Sequence, residues 1–266
     1  MHRVGAIFAR DMRLALSYPM SLLLPFVSIA VSVVGFFYIS KLVLPSAHLG
    51  VQGRSSNYFT YVIINLAFML LQTSALGAFS ESLRRDQTIG TLEPILASPT
   101  SPALLAVSFA LWPLMMSTLQ MITYLAVAAL FFGLDLRHID IPALFMFLVL
   151  GVVCMSCLGI IGAGIVLRYK QSPPSSLLVG SAATLLTGVL FPVALLPLPL
   201  RIVSWLFPLT HSLTGMRGAI LGVSLSQMNA DVLWLCVAIG VIAPFSLAFF
   251  AWALRSGQRD GTLAYY

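Results

Sequence analysis

The residues of this chain that are able to do chemistry are few, and their densest group lies in one short stretch. The stretch Glu81-Ser-Leu-Arg-Arg-Asp-Gln-Thr-Ile-Gly-Thr-Leu-Glu-Pro-Ile-Leu-Ala-Ser-Pro99 holds Glu81, Asp86 and Glu93 out of eight acids in all, with Arg84 and Arg85 between them. Gly90 is placed to break one helix and Thr91 to cap the next, its hydroxyl accepting a first-turn amide. Glu93 falls in that first turn, where the helix dipole favours a carboxylate. Pro94 is tolerated there because first-turn amides have no intrahelical partner. Leu92, Ile95 and Leu96 make a short apolar stripe at i, i+3, i+4, and Ser98-Pro99 ends it. The chemistry on offer is recognition rather than bond-making. A short, capped, amphipathic helix over 91–97 either rests on lipid or docks in a groove of another protein.

Constellations for catalysis are missing from the sequence. No G-x-x-x-x-G-K-[ST] occurs, and neither Lys41 nor Lys170 follows a glycine-rich loop, so the chain does not read as its own ATPase. Gly222-Val-Ser224 lacks the glycine that a serine-nucleophile elbow needs after the serine. Cys154-x-x-Cys157 sets both sulfurs one turn apart with no further ligand nearby, which reads as polarisable packing rather than a metal or redox site. His211 stands alone near the later apolar runs, which leaves haem ligation by paired histidines unsupported. No catalytic, cofactor-binding or metal-ligating residue is assigned.

The elements that must position the charged stretch follow from composition. Of 266 residues, 59% are hydrophobic and 8% charged, against roughly 25% charged in a soluble domain. A water-facing surface cannot be covered with so little charge, whereas a lipid-facing one must be apolar. That excludes a soluble enzyme, a secreted disulfide scaffold and a disordered protein. The net charge of +6 comes from scattered basic residues, not a stripe, so no nucleic-acid partner is expected.

A helix needs about 20 apolar residues to cross the hydrocarbon. Stretches free of charge predict six spans, at about 18–42, 57–80, 103–132, 141–167, 176–195 and 230–254. The first is longer than the roughly 7–15-residue core of a signal peptide and is followed by no clear cleavage site. Between the last two spans, 196–228 is apolar but broken by Pro197, Pro199, Pro208 and Gly215, and it carries Arg201 and Arg217. It reads as a helical hairpin dipping into one leaflet. The fold class is an all-α integral membrane domain with both termini on one side. Arg3, Arg10, Arg13, Arg84, Arg85, Arg168, Lys170, Arg255 and Arg259 share that side, against Lys41, Arg54, Arg137, Arg201 and Arg217 on the other. The positive-inside bias makes it cytoplasmic.

Smaller features modulate this frame. Residues 2–17 are amphipathic, with Arg3, Arg10 and Arg13 on one arc and Val4, Ile7, Phe8, Met12 and Ala15 on the other; Asp11 is an exception among the apolar residues. Such a helix lies in the headgroup plane with its arginines near lipid phosphates. Gly159 with Ala163, and Gly218 with Gly222, are small-x-x-x-small pairs that predict close helix packing, within the chain or across a dimer seam. Asn65, Gln72 and Gln120 are amides inside spans that either bond helices together or line a path. Pro113, Pro192 and Pro244 predict kinks in the third, fifth and sixth spans.

Gly90-Thr91-Leu92-Glu93, followed by Ile95-Leu96 and Ser98-Pro99, resembles the signature of the ABC-2 type transporter permeases. Gly188-Val-Leu-Phe-Pro192, then Leu196-Pro197 and Pro208, is similar to that family's pattern at the end of its fifth span. The resemblance covers essentially the whole chain; Pro94 directly after Glu93 is a modest departure. It implies the membrane half of an ATP-driven exporter of amphiphiles, drugs, lipids or glycans. Two permease chains, identical or different, would form the pathway, and a nucleotide-binding ATPase subunit would dock on each. That subunit would bind ATP and Mg, with no cofactor held by this chain. The coupling helix would be Thr91–Ala97, with Gly90, Thr91, Leu92, Glu93, Ile95 and Leu96 at the dock and Glu81, Arg84, Arg85 and Asp86 facing the ATPase nearby. Residues 2–17 would be an interface helix packed beside it. Phe191, Pro192, Pro197, Pro208 and Arg217 would belong to an outer gate. The setting would be a cell membrane rich in lipid contacts, expected to be a bacterial inner membrane. A gradient-driven carrier is the alternative, though every acid lies at or beyond a predicted span end, where a proton or sodium relay would want one buried.

Overall fold

A computed structural model describes residues 2–42, 49–51, 54–90, 102–169 and 184–259. Eight α-helices run through them: α1 (His2–Ser17), α2 (Pro19–Leu42), α3 (Tyr58–Ile89), α4 (Pro102–Phe132), α5 (Ile141–Tyr169), α6 (Leu198–Leu206), α7 (Pro208–Ile220) and α8 (Asn229–Arg259). A small antiparallel hairpin, β1 (Leu49–Val51) with β2 (Arg54–Ser56), joins α2 to α3, Leu49 pairing Ser56 and Val51 pairing Arg54. Among the described residues five helices are long and apolar enough to cross a membrane: α2, α3, α4, α5 and α8.

The bundle is organised around α3. In its most apolar 18-residue window 61% of residues are buried, against 11% for α2 and for the last helix, so α3 is the central post and those two face outward. It packs between α4 and α5; α8 lies along α5, α2 along α4, and α1 lies against α4. Ile63, Ile64, Phe68 and Leu71 of α3 are essentially solvent-free and meet Phe147 and Met155 of α5 in one continuous core. A smaller cluster of Phe79, Leu83, Phe109, Ala163 and Phe250 fills the other end, with Ile7 of α1 resting on it.

Lipid tails offer no hydrophobic push between helices, so close approach through small residues must hold them. Gly159 of α5 lies so near the Leu76 carbonyl of α3 that a β-carbon there would collide with it, and Gly164 abuts Phe249 of α8. The Gly159–Ala163 pair therefore packs within the chain. Gly218 and Gly222 are not a packing pair of the same sort. Gly222 has φ 78°, and Val223 N–H donates to Gly218 C=O (2.9 Å) while Gly222 N–H donates to Ala219 C=O (3.2 Å). That double bond pattern ends a helix with a left-handed residue, so Gly222 is the stop of α7.

Two sequence expectations are altered here. The second span is expected to end near residue 80, but the helix that forms it, α3, continues to Ile89 and stops at Gly90, whose φ is 78°. Nothing between Ser80 and Ile89 breaks a helix, and charge marks departure from lipid, not an end of helical backbone. Of the expected fifth span at 176–195, residues 176–183 lie outside the described residues; the described part is α-helical only over 184–186 and then turns. Pro192 kinks no helix but sits in extended backbone (φ −60°, ψ 138°) before a 3₁₀ turn, Val193–Leu195. Pro113 and Pro244 do lie inside α4 and α8, as Pro25 does inside α2.

Candidate functional site

The charged end of α3 is built against α1. Arg10 donates from Nε and Nη2 to Asp11 Oδ1 (3.1 and 3.0 Å) and from Nη1 to Asp86 Oδ1 (3.0 Å). Its Nη2 also reaches Asp86 Oδ2 at 3.4 Å. Arg85 Nη2 approaches Asp11 Oδ2 at 3.5 Å and donates to Ser82 Oγ (3.4 Å), which in turn donates to the Phe109 carbonyl of α4 (3.2 Å). Asp11 and Asp86 are 2% and 1% exposed, so both carboxylates depend on these partners. Two arginines and two aspartates make the cluster neutral. Burial works against the Arg10 charge, but Asp86 and then Asp11 outweigh it and raise its pKa, so Arg10 stays a cation.

This arrangement explains Asp11, the acid on the apolar arc of α1. That arc faces the protein: Ile7 packs on the Phe79 cluster and Phe8 meets the Trp112 ring edge-on at 5.7 Å. Asp11 turns inward with them because a cation from α3 waits there. The signal in the sequence was the exception itself, since a lone acid on a buried face requires a partner.

The expected docking residues divide. Glu81 and Arg84 are exposed, and Arg85 is half-buried. Asp86 faces α1 rather than an open surface. Gly90 stands exposed at the end of α3. Thr91, Leu92, Glu93, Ile95 and Leu96 lie outside the described residues.

The other end of α3 carries a polar seam. Tyr61 OH donates to the Gly188 carbonyl (2.5 Å), and Asn65 Nδ2 to the Gly188 and Val189 carbonyls (3.3 and 3.1 Å). Gln72 Nε2 donates to Ser212 Oγ of α7 (3.0 Å). Gly151 of α5 is required at this meeting point, because a β-carbon would overlap both Ser212 Oγ and Gln72 Nε2. Arg217 of α7 is 6% exposed and lies over the Tyr61 ring, 4.5 Å from its centroid. Its Nη2 reaches Thr214 Oγ1 at 3.4 Å, and no carboxylate pairs with it among the described residues. Asn65 Oδ1, Gln72 Oε1, Thr210 Oγ1 and Arg217 Nε are buried without a hydrogen bond.

Asn65 and Gln72 thus bond helix α3 to its neighbours, whereas Gln120 sits half-buried on α4. Of the expected gate residues, Phe191 and Pro192 lie in the turn just beyond the Gly188 contact, Pro197 precedes α6, and Pro208 opens α7 and is buried. One feature had no sequence signal: His211 of α7 bonds Asp231 of α8, 20 residues away.

Five helices long and apolar enough to cross a membrane, an amphipathic helix clamped by charge to the central post, and a helix pair folded against its far end define a multi-pass membrane domain. The chain belongs to the ABC-2 type transporter family, whose model matches residues 2–221. It is a permease of an ABC transporter, a transport subunit rather than a catalyst, and the family implies association with an ATPase subunit. No curated protein matches the chain.

Proposed function

We propose that the chain is the membrane half of an ATP-driven exporter, with a separate nucleotide-binding subunit docked at the turn after α3. The observation that carries this reading is the Arg10–Asp11–Arg85–Asp86 cluster. It fastens α1 to α3 within one turn of Gly90, so whatever grips the following residues pulls on α1 and the central post together. In this reading Thr91–Ala97 is the coupling helix. Glu81 and Arg84, exposed on the last turns of α3, face the ATPase, and Arg85 and Asp86 brace the dock from behind. The ATPase binds ATP and Mg. The clamped end is cytoplasmic, both termini lie there, and a second permease chain completes the pathway.

The far end of α3 is then the outer side. Ala219 accepts from Asp140 N–H, just before α5 begins (2.9 Å), while Ser212 Oγ reaches the Phe147 carbonyl, further along α5 (3.4 Å). The start of α7 therefore sits deeper than its end, which supports a re-entrant hairpin of α6 and α7 as an outer gate, with Pro208 opening its returning arm. The apolar character of the long helices among the described residues suits an amphiphile, drug, lipid or glycan as cargo.

The test is co-purification of the chain with its candidate ATPase, with Leu92→Asp and Leu96→Asp combined. Recovery of the complex should fall at least about tenfold, a loss of roughly 1.4 kcal/mol or more of docking energy. A complex that survives intact with unchanged ATPase activity sinks the assignment.

A further inference from the structure

His211 sits where three helices meet. Its Nε2 is 2.7 Å from the main-chain carbonyl of Trp205 at the end of α6. Its Nδ1 is 2.6 Å from Asp231 Oδ1 in the first turn of α8. The ring is 6% exposed and lies against Trp205 and Trp234, whose own rings stack at 5.4 Å.

Counting protons decides what this contact needs. A carbonyl only accepts, so Nε2 carries a hydrogen. At 2.6 Å a nitrogen and a carboxylate oxygen must have a proton between them. The pair therefore makes both bonds with two protons, one fixed on Nε2 and one shared by Nδ1 and the carboxylate. If the shared proton leaves, the Nδ1 lone pair confronts the carboxylate. If the ring takes the other tautomer, a lone pair confronts the Trp205 carbonyl. Either way one of the two bonds opens.

The surroundings supply no substitute. Asp231 is the one titratable side chain in contact with the ring among the described residues. From α6 comes a carbonyl and an indole, with Arg201 exposed. On α7 itself Arg217 is engaged over Tyr61 of α3. Asp140, before α5, is tied near the opposite end of α7 through Ala219. The 3₁₀ turn Leu225–Met228 and strand β1 carry no ionisable side chain.

We propose that His211 and Asp231 form a proton-operated latch that fastens the α6–α7 pair to the start of α8, closed while the shared proton is bound and open when it leaves. The assignment stands on this geometry and does not depend on the ATPase partner or on the direction of transport.

The experiment uses the purified full-length chain in lipid nanodiscs. Intrinsic tryptophan fluorescence is followed from pH 4 to 10 in the wild type, His211→Gln, Asp231→Leu and Trp205→Phe. An imidazolium in contact with indole quenches it, so opening should appear as one upward step with rising pH. The step should vanish in His211→Gln and shrink in Trp205→Phe, which keeps the carbonyl and removes a reporter. Asp231→Leu removes the acceptor at Nδ1 and brings no donor in its place, so the bond to α8 cannot form in either protonation state. Its fluorescence step should therefore fall at lower pH than the wild type's, or be absent with the unquenched signal throughout. A wild type still quenched at pH 10, beside an Asp231→Leu chain that is unquenched at that pH, also supports the latch. A step that Asp231→Leu leaves in place or moves upward, or equal and pH-independent signals in the two chains, overturns it. If His211→Gln fails to fold, the wild-type and Asp231→Leu comparison decides alone.

Discussion

The two ends of α3 solve the same problem in opposite ways. At the α1 end, two buried carboxylates meet two arginines and the charges cancel. At the α7 end, Arg217 is buried on a tyrosine ring with no carboxylate, and the amides of Asn65 and Gln72 each keep an unbonded oxygen, among the described residues. A balanced cluster has one good arrangement and resists change. An under-satisfied one loses little by rearranging, since each lost bond exposes groups that were already incompletely paired. The difference assigns rigidity to the clamped end and freedom to the other, as a machine driven from one side and opened at the far side would require.

Substitutions can break this contrast. The largest effect is expected from Arg10→Met, which leaves Asp11 and Asp86 buried without their main partner. Stranding a buried charge costs about 3–5 kcal/mol, and the partly exposed Arg10 puts the expectation at the lower end. Thermal unfolding in detergent should show a drop of several degrees. Because the Arg10 pKa is raised in the fold, its contribution is complete below the ordinary guanidinium range and is lost only as pH rises through the raised value. The wild-type margin over Arg10→Met should therefore not fade between neutral pH and pH 9. A margin that disappears over that range would remove the clamp.

Arg217→Met is the matching test at the far end, with the opposite sign. A buried cation with no carboxylate among the described residues, replaced by an apolar side chain of similar length, should be neutral or raise stability by about 1 kcal/mol, as apolar replacements of buried charge often do. If Arg217→Met destabilises as much as Arg10→Met, the two ends do not differ. The smallest effect is expected from Gln72→Leu, which loses the bond to Ser212 together with an unbonded oxygen. Single interhelical bonds in membranes average about 0.6 kcal/mol, so a melting shift of a degree or two is expected. A loss above about 2 kcal/mol would mean the seam is as rigid as the clamp.

Much of the fold was legible because apolar length and charge placement report directly on the bilayer. The runs that became α2, α3, α4, α5 and α8 were visible as gaps between charges, and Gly90 as the end of a helix. The charge between Glu81 and Asp86 misled only in backbone terms, since a helix leaving the membrane looks like a loop to a search for apolar residues. The site was legible in composition but not in pairing. Asp11 advertised that it needed a partner, yet nothing in the spacing pointed to Arg85, which shares no element with it. Arg217 read as a gate residue from its proline-broken surroundings, while its rest on Tyr61 depends on how α7 folds back on α3. His211 and Asp231 are polar residues at the margins of apolar runs, and only the turn at Gly222 brings them face to face.

The unbroken length of α3 has a further consequence. Its 32 residues measure about 48 Å at 1.5 Å each, well beyond a hydrocarbon core of about 30 Å. Near its middle, at Ala75 and Leu76, it is pressed against Gly159 with no side chain between. From that point to Ile89 is about 20 Å along the axis, and to Tyr61 about the same. A stiff beam held at its centre is a see-saw. A sideways nudge at Ile89 returns at Tyr61 with nearly equal size and opposite direction, beneath the Gly188 carbonyl and the Arg217 guanidinium, with no intermediate part having to bend.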